Sequence, residues 1–74
     1  MKISAGKLKI GQQAKITGIK GHDLAIRLME MNCLPGELIS LERIAPLGDP
    51  LVFNVSGYLL GLRKSEASNI EVEV

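Results

Sequence analysis

The sequence predicts a small, mainly β barrel of five short strands with one helix, and three observations carry that prediction. Apolar residues alternate with polar ones over short stretches; Ile70, Val72 and Val74 alternate with Glu71 and Glu73, for example. A period of two is that of a strand with one buried face. Gly, Pro and Asn punctuate the chain between these stretches, as in Pro35-Gly36 and Pro46-Leu47-Gly48-Asp49-Pro50. Only the segment at about 22–31 carries a helical period. Closing such strands into a barrel removes most of the unpaired edge that invites aggregation.

Each element follows from its residues. Ser4-Ala5-Gly6-Lys7-Leu8 reads as a short turn or helical entry. Gln13 to Ile19 is the first strand, with Ala14 and Ile16 on one face and a bulge or bend at Gly18. Gly21-His22-Asp23 opens the helix, with Asp23 placed to cap it. Leu24, Leu28 and Met31 then form an apolar stripe at i, i+4 and i+7. Asn32 suits the left-handed residue that ends a helix, and Pro35-Gly36 makes the turn that follows.

Leu38 to Ile44 is the second strand, with Ile39 and Leu41 on one face. Leu51 to Val55 is the third; Pro50, which has no N–H to donate, fits its first residue. Ser56-Gly57 is a two-residue hairpin connection into a fourth strand, Tyr58 to Arg63. A single helical turn follows at about 65–68, with Ser65 as its cap. Asn69 to Val74 is the fifth strand.

At 74 residues the chain is expected to form one domain over residues 1–74. Phe53 and Tyr58 are its only aromatics, so the core is built from aliphatic side chains. A net charge of +1 without stacking aromatics disfavours nucleic acid as a partner. Lys2, Lys7, Lys15 and Lys20 gather near the N-terminus and read first as solvated lysines on strand edges. Cys33 is the single cysteine, so no internal disulfide forms, which points to a reducing compartment and a cytoplasmic location. Residues Met1 to Lys7 lack the apolar core of a signal peptide. No apolar run approaches the ~20 residues of a membrane span, so any role at the membrane, at its inner face, comes through a partner.

The candidate metal ligands are His22, Asp23, Glu30 and Cys33. A structural zinc site takes four ligands, mostly His and Cys, and one of each falls short within a single chain. The expectation is no cofactor, or at most weak transition-metal binding. Cys33 with His22 lacks a third, orienting group and an oxyanion pocket, so no enzyme is expected. Arg27 and Glu30 stand at i, i+3, a helix-surface ion pair or a partner contact. Leu47 at a loop tip and Leu59 opposite the Tyr58–Leu60–Leu62 face have no evident packing role. With Arg27, Met29 and Tyr58 they are the candidate partner interface.

The order of motifs resembles one family. Leu8-x-x-Gly11-x-x-Ala14-x-Ile16-x-x-Ile19, Arg27-Leu28-Met29-Glu30-Met31, Pro35-Gly36, Ala45-Pro46-Leu47-Gly48-Asp49-Pro50 and Gly57-Tyr58-x-Leu60-x-Leu62-Arg63-x-x-Glu66-Ala67-x-x-Ile70 together resemble the ferrous iron transport protein A (FeoA) family. The match runs from about Leu8 to Val72. It departs at Asn32-Cys33, where the family has Gly and then an aliphatic residue. The resemblance implies an SH3-like barrel and a small cytosolic accessory protein without catalytic activity. Its implied partner is the membrane ferrous iron transporter FeoB, which carries a cytosolic GTP-binding domain. A second implied reading is a metal-responsive SH3-like module acting with an iron-dependent repressor. Weak homo-oligomers through edge strands are a further expectation.

Overall fold

Alternation, turn residues and one helical stripe resolve in the computed structural model, which describes residues 1–74, into six strands and two helices. They run β1 (Lys2–Ser4), a 3-10 turn (Ala5–Lys7), β2 (Gln13–Ile19), α1 (His22–Glu30), β3 (Leu38–Ile44), β4 (Leu51–Val55), β5 (Tyr58–Leu62), α2 (Lys64–Ala67) and β6 (Ile70–Glu73). One sheet holds them in the order β1-β6-β2-β3-β4-β5, with every strand pair antiparallel. The expected mainly β architecture is present, with a sixth strand. β1 is three residues long with one apolar side chain, too short to show a period; its pairing with β6, Ile3 opposite Val72, defines it.

The period-two stretches bury the expected faces. Ala14 and Ile16, Ile39 and Leu41, Leu51, Phe53 and Val55, Leu60 and Leu62, and Ile70 and Val72 are all buried. No polar or charged residue is buried, so the core carries no desolvation cost from unpaired groups. The register of β2 against β6 shifts between Ile16 and Gly18, so Thr17 is the extra residue of a bulge. Thr17 Oγ1 donates to Glu71 Oε1 at 2.8 Å, which satisfies the displaced residue. A second shift, between Leu41 and Arg43, lies in an unbroken run of strand-forming residues that gives no turn signal.

The helix corrects three expectations. Gly21 is its N-cap, and no side chain caps it; Asp23 lies in the first turn and only favours the positive helix end. Arg27 pairs with Glu66 on α2, not with Glu30. Met31 falls outside the stripe: the helix ends at Glu30, and Met31 is exposed. Asn32 is left-handed at φ 60°, and Cys33 takes the core place beside Leu28. The Cys33 N–H donates to Leu28 O at 2.9 Å, and the side chain is fully enclosed.

Two smaller corrections lie near the C-terminus. α2 starts at Lys64 and is capped from Arg63, not Ser65: the Glu66 carboxylate accepts the Arg63 N–H at 2.9 Å. Val74 lies past the end of β6 and is exposed. The Ser56-Gly57 turn is as expected, with both residues at positive φ, 52° and 92°, as a two-residue hairpin requires.

Candidate docking surface

The loop between β3 and β4 is built by its own backbone. Gly48 N–H donates to Ala45 O at 2.7 Å, and Ala45 N–H donates to Pro50 O at 3.0 Å. Asp49 Oδ1 accepts the Lys64 N–H at 2.9 Å, which ties the loop to the start of α2. Pro46, Gly48 and Asp49 thus explain the turn, while Leu47 is 97% exposed and serves no packing purpose. Leu47 is thus a large apolar side chain held in water on an anchored loop, which keeps it a candidate contact residue.

Tyr58 and Leu59 occupy the start of β5, an edge strand. Leu59 pairs with Asn54, and Tyr58 with Val55. Leu60 and Leu62 face the core, which turns Leu59 outward at 57% exposure. Leu47 lies beyond the other end of this hairpin, where Ile44, Leu51 and Leu62 are aligned. The two leucines therefore mark opposite ends of the β4–β5 hairpin and do not merge into one patch.

Met29 belongs to a third feature that sequence reasoning missed. An open apolar groove of ≈ 320 Å³ runs between α1 and the end of β2, lined chiefly by Ile19, Ala25, Ile26, Met29 and Leu34. The signal was present: α1 is apolar at Leu24, Ala25, Ile26, Leu28 and Met29, too wide for one stripe. Leu28 faces the core, and Ile26 and Met29 face water. His22 lies on the groove's rim of lining residues.

Arg27 is half-exposed and held by its ion pair with Glu66. The Glu66 pKa is lowered from its ordinary value, first because the carboxylate accepts the Arg63 N–H and then because it accepts from Arg27. The metal candidates do not meet: Cys33 is buried, His22 and Asp23 open the helix at the surface, and Glu30 ends it. No three His, Cys, Asp or Glu side chains come together in a way that could hold a metal ion. Burial, followed by the charge of Glu37, pushes the Cys33 thiol up and keeps it protonated at neutral pH. No helix is long and apolar enough to cross a membrane.

A six-stranded antiparallel sheet around an aliphatic core, with apolar side chains displayed on a loop tip, an edge strand and a helix face, defines a small SH3-like barrel. The chain belongs to the FeoA family: the family model for the FeoA domain matches residues 3–74. The FeoA protein of Chlorobium tepidum, solved by NMR, is 34% identical, with a TM-score of 0.92 over 97% of this chain and 70% of that one. The FeoA of Stenotrophomonas maltophilia, solved in complex with zinc and described as a prokaryotic SH3 domain protein, is 25% identical. Its TM-score is 0.82, over 96% of this chain and 89% of that one. A Porphyromonas gingivalis protein, a fusion of Fe(2+) transport protein A and the Fe(2+) transporter FeoB, is 35% identical over 69 residues, 92% of this chain. This chain spans 8% of that relative's length.

Proposed function

We propose that this protein is an accessory component of ferrous iron uptake that acts in the cytoplasm by docking on the cytosolic part of the membrane transporter FeoB. The observation that carries the reading is the Porphyromonas gingivalis relative, in which a segment like this chain belongs to a fusion with FeoB. Joining two modules in one polypeptide keeps them together at every moment, which is useful when they act in contact. The protein works by binding, not by chemistry on a substrate. Its effect on transport is then limited to the difference in its affinity for the transporter's states.

Leu47 and Leu59 are the contact residues of choice, with Met29 at the groove and Tyr58 beside Leu59. The test is titration of the transporter's purified cytosolic part with this protein and with Leu47→Lys, Leu59→Lys and Met29→Lys. All three side chains are exposed, so each variant keeps its thermal midpoint. The expected result is binding by the parent and a loss of about tenfold or more in at least one variant, as at an interface anchor. No binding by the parent, to the cytosolic part or to the intact transporter in membranes, refutes the reading.

A further inference from the structure

We propose that the cleft between β1, the 3-10 turn and the start of β6 binds a phosphate group. The cleft has a volume of ≈ 280 Å³, and only two of its nine lining residues, Ile3 and Ile70, are hydrophobic. Three lysines from separate segments line it: Lys2 from β1, Lys7 from the 3-10 turn and Lys20 after β2. Lys15, the fourth lysine of the N-terminal group, is not among them; it lies along β2 opposite Leu38 and Glu73.

The charge in this cleft is unbalanced. Glu71 is its one acid, and its Oε1 lies 3.8 Å from Lys2 Nζ while also accepting from Thr17 Oγ1 at 2.8 Å. Lys7 and Lys20 form no ion pair, although the chain carries eight acidic side chains. Like charges gathered around a concave wall repel one another and raise the local concentration of anions. The walls are preformed: Lys20 N–H donates to Asn69 O at 2.8 Å, and β1 is paired with β6 along its length. Ser4 makes no capping hydrogen bond with its side chain, so its hydroxyl is a further donor beside the lysines.

The ligand class follows from size and polarity. The volume equals that of about nine waters at ~30 Å³ each, enough for a phosphate or pyrophosphate with its remaining hydration. A nucleobase would need a stacking surface, and neither aromatic lines the cleft: Phe53 is in the core and Tyr58 is on β5. The shared chemistry is a phosphate group with two or more acceptor oxygens, free in solution or on a lipid head.

The experiment has two arms, both on the full chain. In the first, amide NMR spectra are followed during titration with inorganic pyrophosphate, with ionic strength held constant by sodium chloride. Saturable shifts are expected at Ser4, Lys7, Lys20 and Asn69, with affinity falling about tenfold or more in Lys7→Ala/Lys20→Ala as charge-assisted bonds are lost. Lys9→Ala/Lys15→Ala removes the same charge outside the cleft and is expected to bind as the parent does. In the second arm, sedimentation with phosphatidylglycerol vesicles, against phosphatidylcholine, reports whether a lipid head is the source; loss in the cleft variant alone supports the site. The proposal is overturned when neither probe binds, or when both double variants lose binding equally, since that is diffuse surface charge.

Discussion

Replacing Glu66 with Ala tests how the second helix is fastened to the first. One carboxylate makes two contacts here: it accepts the Arg63 N–H at 2.9 Å, which caps α2, and it accepts from the Arg27 guanidinium on α1. Losing a helix-capping hydrogen bond costs about 1 kcal/mol. The ion pair adds only about 0.5 kcal/mol, because Arg27 is 53% exposed and water screens it. The combined loss of about 1.5 kcal/mol lowers the thermal midpoint by roughly 6–12 °C in a domain of this size. Arg27→Ala removes the ion pair alone and lowers it by roughly 2–4 °C, an effect that shrinks with added salt. The folded-state pKa of Glu66 lies below its unfolded value, so its contribution is complete above the unfolded carboxylate range and disappears as pH falls through the folded pKa. The parent and Glu66→Ala therefore converge in acid. Calorimetric melting of the parent, both variants and Glu30→Ala, at two salt concentrations and from pH 7 downward, checks each step. Should Glu30→Ala cost as much as Glu66→Ala, or Arg27→Ala match Glu66→Ala without salt dependence, the assignment of cap and ion pair is refuted.

Three further outcomes follow from a buried and a turn position. Cys33 is fully enclosed and its thiol is held protonated by burial and by Glu37, so a thiol-labelling reagent is expected to react only as fast as the native protein opens. Cys33→Ser puts a hydroxyl without a designed partner in that place and costs about 1–3 kcal/mol by chemical denaturation. Gly57→Ala meets open space but holds a side chain at φ +92°, so its cost is backbone strain alone, about 1 kcal/mol or more. Urea midpoints that fall without a change in slope would identify both as losses of native stability.

What was legible in the sequence was what local chemistry decides. Alternation at Leu51, Phe53 and Val55, the left-handed Asn32 and the Ser56-Gly57 hairpin each act within a few residues, and each is in place; the bulge expected at Gly18 lies one residue earlier, at Thr17. What was hidden depends on distance in space. β1 exists because Ile3 finds Val72 across the whole length of the chain. Arg27 chooses Glu66, 39 residues away, over Glu30 one turn along its own helix, because the fold brings the Glu66 carboxylate within reach of its guanidinium. The cap of α2 is the local exception: Glu66 stands at the third helical position after Arg63, a capping signal that reading Ser65 as the cap passed over. Among the candidate interface residues, the exposure of Leu59 was legible because a strand with one buried face must turn the next side chain outward. The α1 groove was not, because a helix apolar on two faces does not say which one the sheet will take.

The fusion in Porphyromonas gingivalis also bears on how strong the proposed contact must be. A tether raises the effective concentration of a docking module to the order of mM, so a weak contact is occupied there. An untethered module would have only its free concentration, and the candidate contact residues lie apart: Leu47 at one end of a hairpin, Leu59 at the other and Met29 on the helix. Such a surface fits a small, transient interface, not a permanent one. The loop compensates in part. Its three hydrogen bonds fix the backbone on either side of Leu47 before any partner arrives, so little backbone entropy is lost on contact. A rigid barrel that presents a single side chain on an ordered loop can bind and release quickly while still distinguishing between two states of a partner, which is what an accessory that adjusts transport would need.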